Sequence, residues 1–399
     1  MTRVWLGIAV VVGSAGVAHA DDTITIDQAI QLALTRNERA KISDLTTVEA
    51  EAGVDKAPKT VANGDLAVTQ PIFSPSAFPL YDQAKHSLDA QRAQTVDDKR
   101  QLAFDTAHAF FAVLLAQRIV EAAQEELETA KFDVTQTNAQ ATAGIASSND
   151  VTRAKLSQAG TERDLATDKG NFDAALVALS FIVNAKPPAH LATPTTVLTA
   201  GKQPPGAIDQ LVAQGLAQRP DLVAHKASAL AAHDFAREPR WRFFPSLGFV
   251  GELTATSDNS PGTDHIDGFV AVQASWTIWD AGSRDADSKV RDAAASIADL
   301  QAVMLERSVE NDVRIAVAQL TAAQNALTGA QDAVDASRKS ADETAKLYKN
   351  GLAKAIELVD ANEQRFESEV SFAEAEYAMA NAYLALRQAM GLGPLEDRK

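Results

Sequence analysis

Residues 285–347 read DADSKVRDAAASIADLQAVMLERSVENDVRIAVAQLTAAQNALTGAQDAVDASRKSADETAKL, 63 positions with no proline and a single glycine, Gly329. Proline and glycine are the residues a helix interior tolerates least, so this stretch predicts one helix, about 95 Å long at ~1.5 Å per residue. Residues 80–142 repeat the pattern, again 63 positions and free of both breakers. Helices of this length cannot be the core of a compact domain. Their apolar positions recur at three and four, as in Leu102, Phe104, Ala109, Phe110, Val113 and Leu114, which suits coiled-coil packing. Each stretch ends near a glycine, Gly144 or Gly351, a normal helix-ending residue. Returning helices are expected over 150–183 and 355–392. The result is two long antiparallel helical hairpins.

The chain also reads as two copies of one unit. Ile26-Asp27-Gln28 recurs as Ile208-Asp209-Gln210, at an offset of 182. Ile72-Phe73-Ser74 matches Ile278-Trp279-Asp280 at 206, and Gly144-Ile145-Ala146 matches Gly351-Leu352-Ala353 at 207. The jump in offset means that the first copy lacks 24 residues ahead of its long hairpin. The second copy fills that interval with Pro245 to Gly268, a strand and a turn-rich loop. The expected organisation is repeat 1 over 21–186, with a shortened strand region at about 57–73 and a helical hairpin over 80–183. A Pro-rich linker over 187–205 follows. Repeat 2 over 206–392 carries a β-hairpin over 244–279 and a helical hairpin over 285–392, and 393–399 is a short tail.

Strands are predicted where side chains alternate. From Pro245 to Thr256, Leu247, Phe249, Gly251, Leu253 and Ala255 share one face. From Phe269 to Trp279, Val270, Val272, Ala274, Trp276 and Ile278 do the same, and Leu66 to Phe73 is a shorter version. An apolar face opposite a polar one, with aromatic ends at Phe243-Phe244 and Trp276/Trp279, fits a membrane barrel; a strand on a soluble sheet fits the alternation too. For repeat 1, a short extra strand is expected over 59–62. The Asn63-Gly64 dipeptide, a strong hairpin signal, would join it to the strand that follows.

Composition narrows the function. The 399 residues include no cysteine, which excludes disulfides, thiolate metal sites and thiol catalysis. Lys and Arg total 37 against 53 Asp and Glu, and the net charge of −16 argues against nucleic acid as a partner. Alanine supplies 77 residues while aromatics are only 6%, a balance that favours long, closely packed helices. Arg3, the apolar run Val4–Val12 and Ala18-His19-Ala20 read as a secretory signal peptide over 1–20. No later stretch reaches the ~20 apolar residues of a spanning helix, so membrane entry is expected through strands. His86, His108, His190, His225, His233 and His265 lie at no metal-ligand spacing, and no phosphate loop or serine elbow is present. No cofactor and no metal is expected.

Several segments together resemble the TolC-like outer membrane efflux proteins. They are ITIDQAIQLALTRN at 24–37, QPIFS at 70–74, AGIASSNDV at 143–151, QRPDL at 218–222, WTIWDAGS at 276–283 and YKNGLAKAIELVDA at 348–361. The resemblance implies a mainly α protein with a small β part. Its duplicated hairpins would form a trimeric α-barrel tunnel, and its short strands would contribute to a trimeric β-barrel in the outer membrane. It implies export by a tripartite efflux or type I secretion complex, without catalysis. The implied partners are two further copies, outer-membrane lipid, a periplasmic adaptor and an inner-membrane pump.

The same resemblance points to the hairpin tips. Glu357 and Asp360 lie three apart, on one helix face, and match acidic positions lining the family's periplasmic entrance; Asp150 matches an acidic position at the other tip. Three copies would ring the opening with carboxylates and attract cations. Acids in a first helical turn also simply stabilise the helix N-terminus. Gly144, Ile145, Gly351 and Leu352 would be the adaptor-docking tips, or the glycines only helix ends. The alternative for the whole chain is a periplasmic coiled-coil scaffold or adaptor-like protein without a pore.

Overall fold

The computed structural model describes residues 24–54, 66–186, 191–255 and 266–395. The signal peptide expected over 1–20 and the extra strand expected over 59–62 lie outside the described residues. In chain order the elements are α1 (Ile26–Arg36), α2 (Glu38–Val54), β1 (Leu66–Phe73), α3 (Ala77–Thr142), α4 (Ser148–Val183) and α5 (Thr195–Gly201). They continue with α6 (Ile208–Gln218), α7 (Pro220–Trp241), β2 (Ser246–Ala255), β3 (Ile266–Ser275), α8 (Ser283–Lys349) and α9 (Ala355–Ala389).

The two long helices are α3, of 66 residues, and α8, of 67, so each runs about 100 Å at ~1.5 Å per residue. α4 returns along α3, and α9 along α8. Along α8 every seventh residue from Val313 is buried: Leu320, Leu327, Val334, Ala341 and Tyr348. A seven-residue repeat of this kind keeps one seam facing its neighbours over the whole length. On α3 the seam changes character. It is apolar at Leu102, Phe104, Phe110, Val113 and Leu114, then small or polar at Ala123, Glu126, Ala130, Asp133 and Thr137.

Halfway along the hairpins the short helices gather on the long ones. Ile26 and Ile30 of α1, Phe104, Phe110 and Phe111 of α3, Leu179 of α4, Leu198 of α5, Leu320 of α8 and Met379 and Leu384 of α9 share one core. Full burial of side chains this large contributes roughly 1.5–3 kcal/mol each, which makes this belt a main source of the fold's stability. α3 is long enough and, over part of its length, apolar enough to cross a membrane by composition alone. This departs from the expectation that no such stretch follows residue 20; Phe104, Phe110 and Phe111 are wholly buried in the belt, so the helix is apolar as a core helix.

The motifs at the chain's turns are structural devices. Thr25 caps α1: its Oγ1 accepts from Gln28 N–H at 3.3 Å, and Gln28 Oε1 accepts from Thr25 N–H at 2.9 Å. Asn37 ends α1; its Nδ2 donates to the Ile182 carbonyl at 2.8 Å, tying the α1–α2 corner to the end of α4. In QRPDL, Pro220 opens α7, and Arg219 donates to Asp221 at 2.6 Å and to Asp312 of α8 at 2.8 Å. Burial alone would push the Asp221 carboxyl up, but the bonds and charge of Arg219 hold it below its ordinary value.

The sheet is antiparallel in the order β1-β2-β3, with Leu66 opposite Leu253 and Ser246 opposite Ser275. Two boundaries differ from the sequence reading. β3 spans Ile266–Ser275 rather than reaching Trp279, because the Trp276 indole Nε1 donates to the Phe243 carbonyl at 2.8 Å and turns the chain off the ladder. The segment read as a linker over 187–205 contains α5, with Val197 and Leu198 buried in the belt.

Candidate functional site

The two hairpin tips are built alike. At the first, Gly144 has φ +73°, and the Ile145 and Gly144 amides donate to the Gln140 and Ala141 carbonyls at 2.9 and 3.0 Å. At the second, Gly351 has φ +72°, and the Leu352 and Gly351 amides donate to Leu347 and Tyr348 at 2.9 and 3.0 Å. Both are Schellman turns, in which glycine supplies the left-handed residue. The residue after each glycine projects into solvent: Ile145 is 69% exposed and Leu352 74%.

Two of the tip acids cap the returning helices. Asp150 accepts from Ser147 N–H at 2.9 Å, and these bonds to Ser147 hold its carboxyl below the ordinary value. Glu357 accepts from Lys354 N–H at 3.2 Å in the equivalent place. Asp360, three residues on, is exposed and makes no hydrogen bond or ion pair among the described residues. The charge of Lys354 also acts on Asp150, so the two tips lie close enough to sense one another.

Sequence reasoning missed a ladder of polar contacts that joins the hairpins above the tips. Thr137 Oγ1 and the Tyr348 hydroxyl lie 3.0 Å apart and are buried. Higher up, Asn362 Nδ2 donates to Asp133 Oδ2 at 2.8 Å. Arg365 approaches Glu126 at 3.6 Å and donates to Thr129 Oγ1 at 3.3 Å. Burial pushes Glu126 up to about 7 and Asp133 up to about 6, against the opposing pull of Arg365 and, at Asp133, of Asn362. The available signal was the spacing 123, 126, 130, 133, 137, which continues the α3 seam with acids and small residues where a core would have leucine.

At the other end, aromatic rings collect where strands meet helices. Phe73, Phe78, Trp241 and Phe244 form a chain of tilted contacts with centroids 5.9–6.3 Å apart, and Arg284 stacks over Phe243 at 5.4 Å. Trp279 stands 81% exposed. Aromatic side chains at this level are what a membrane–water boundary favours. Ten residues in β2 and in β3 give about 33 Å of strand at ~3.3 Å per residue. Tilted by ~40°, such strands cross the ~25 Å apolar band of an outer-membrane barrel. The histidines pair separately instead of converging: His86 with Asp234 at 2.6 Å, His108 with Asn381 at 2.9 Å and His233 with Asp299 at 2.8 Å.

Long paired hairpins carrying a small sheet with an aromatic edge define a helical conduit anchored by strands. The chain belongs to the outer membrane efflux protein family, whose profile matches residues 14–185 and again 211–392. It is 22% identical over 347 residues to outer membrane protein TolC of Vibrio cholerae, covering 84% of this chain and 78% of the relative. Its fold is similar to CusC (TM-score 0.79, 18% identity, 92% of each chain). The same holds for the open state of the Neisseria gonorrhoeae MtrE outer membrane channel (TM-score 0.77, 19% identity, 94% of this chain and 90% of that one). The protein is therefore an outer-membrane efflux channel that reaches into the periplasm. The family is one of channels rather than enzymes.

Proposed function

We propose that three copies of this chain form one continuous tunnel, closed by strands in the outer membrane and entered between the hairpin tips in the periplasm. The observation that carries this reading is the surface one copy leaves uncovered. Val290, Ile297, Leu300 and Met304 make an exposed apolar stripe on α8, and Leu156, Val177 and Phe181 make another on α4. Stripes of this length on extended helices need partner helices. The far edge of β3 is likewise unpaired among the described residues, and unpaired backbone groups in lipid cost several kcal/mol each. Further copies satisfy both demands.

On this reading Glu357, Asp360 and Asp150 give the entrance its charge, and Gly144, Ile145, Gly351 and Leu352 form the surface met by a periplasmic adaptor that couples the tunnel to an inner-membrane pump. The conduit carries its substrates across and catalyses no reaction. The scaffold alternative lacks support from any feature that the sheet and its aromatic edge do not explain better. Outer membranes solubilised in mild detergent test the proposal: the protein should run as a trimer by native mass spectrometry. Recovery as a monomer from the soluble periplasmic fraction would refute it.

A further inference from the structure

Glu126, Asp133 and Arg365 stand out because the tunnel reading gives them no task. Glu126 is only 9% exposed, and its Oε2 has no hydrogen-bond partner among the described residues; Arg365 Nε has none either. Their 3.6 Å approach is an ion pair without a hydrogen bond. Asp133 is equally enclosed, held by the neutral amide of Asn362. One guanidinium thus approaches one buried carboxyl, and its charge also acts on the other, at the place where the first hairpin meets the second.

We propose that these three residues form a proton-set joint between α3 and α9, tightened when the two acids are protonated and loosened when both ionise. A buried carboxylate without a bonded partner is costly, whereas the protonated acid is neutral and can donate a hydrogen bond. The sign follows from linkage. Glu126 and Asp133 are raised to about 7 and about 6 while the hairpins touch. Hairpins that separate return both groups to water and to ordinary carboxyl values. The closed contact therefore binds protons more tightly than the open one, and gains stability as pH falls from about 7 through 6.

The charges that act on the two acids come from α9 and from α3 itself. From α9, Arg365 and Glu369 act on Glu126, and Asp133 adds its own charge from α3. Glu369 is itself engaged by Arg338 of α8 at 2.8 Å. On Asp133 the charge that acts is that of Arg365. Along α4, the partner of α3, Arg163 pairs with its neighbour Asp164 at 2.8 Å. On the tunnel reading, on which this consequence alone rests, the joint sets how readily the tips part.

The absence of cysteine makes the test direct. A single Ala130→Cys places a thiol on the buried seam between the two acids, and Asn138→Cys gives an exposed control. In the assembled full-length protein, the rate of maleimide labelling at position 130 relative to 138 should rise severalfold from pH 5.5 to 8. Its midpoint should lie between about 6 and 7. Glu126→Gln with Asp133→Asn should flatten the response, and Arg365→Gln should move the midpoint upward by removing the cation whose charge acts on both acids. A ratio that ignores pH, or a response that survives the Gln/Asn pair, overturns the joint. Should the thiol variants fail to assemble, amide exchange over residues 355–368 of the unmodified chain, corrected for intrinsic rates, must show the same midpoint or the joint is refuted. Labelling that responds to pH while bilayer conductance does not would uphold the joint and sink the entrance reading alone.

Discussion

Thr137 and Tyr348 lie 211 positions apart in sequence, yet their hydroxyl oxygens are 3.0 Å apart in a buried contact that bolts the first hairpin to the second one turn above the tips. Tyr348 is also the last member of the seven-residue repeat on α8, so this bond closes the seam at its periplasmic end.

Removing that bond should free the tips. Thr137→Val leaves the Tyr348 hydroxyl buried without a partner, a cost of roughly 1–3 kcal/mol to the closed contact. In planar bilayers the variant should open more often than the parent. Unchanged open probability, with normal assembly, would show that the contact does not restrain the entrance.

Charge at the entrance should govern ion preference. Glu357→Ala together with Asp360→Ala is expected to lower cation selectivity and to weaken block by multivalent cations, more so at low salt, where screening is least. Reversal potentials across a salt gradient measure this. Because Glu357 also caps α9, Asp360→Asn is the cleaner single variant, Asp360 having no bonded partner to lose among the described residues.

The exposed residue after each tip glycine should serve contact rather than folding. Leu352→Glu adds a charge to a side chain that is 74% exposed, so trimer yield should stay near the parental level while export fails in cells. Loss of trimer together with export would make Leu352 structural. A Gly351→Val change is different in kind: φ +72° strains a β-branched residue, and it should damage the turn itself.

Arg219 should matter for stability alone. It is largely buried and engages both Asp221 and Asp312, so Arg219→Ala should cost about 3 kcal/mol, chiefly by stranding the carboxylate of Asp221, the less exposed of the two. Thermal unfolding checks the magnitude. Because Arg219 holds Asp221 below its ordinary value, this contribution is present above pH 3.8 and is lost only as pH falls through the lower folded value.

What could be read beforehand, and what could not, divides along physical lines. Helix length and the tip turns were legible because they follow from where Pro and Gly are absent or stand. The α1 cap was legible as a segment at 24–37, although its work is done by single side chains such as Asn37. The end of β3 was not, since the alternation runs on through Trp276 and only a long-range bond to Phe243 stops the strand. α5 is too short to show a period, and only burial of Val197 and Leu198 marks it as a helix with a task. Glu126 and Asp133 look like surface acids until the second hairpin is laid over them.

The position of the core belt has a mechanical consequence. The heptad seam makes α8 stiff, and Leu320 pins it within the belt, so the segment from there to Tyr348 behaves as a lever about 42 Å long at ~1.5 Å per residue. A pivot of ~10° at the belt would carry the tip through roughly 7 Å, about the width of a hydrated ion, while side chains at the fulcrum shift far less. The aperture can thus be worked by leverage from a joint that hardly repacks, and the force needed at the tip is correspondingly small.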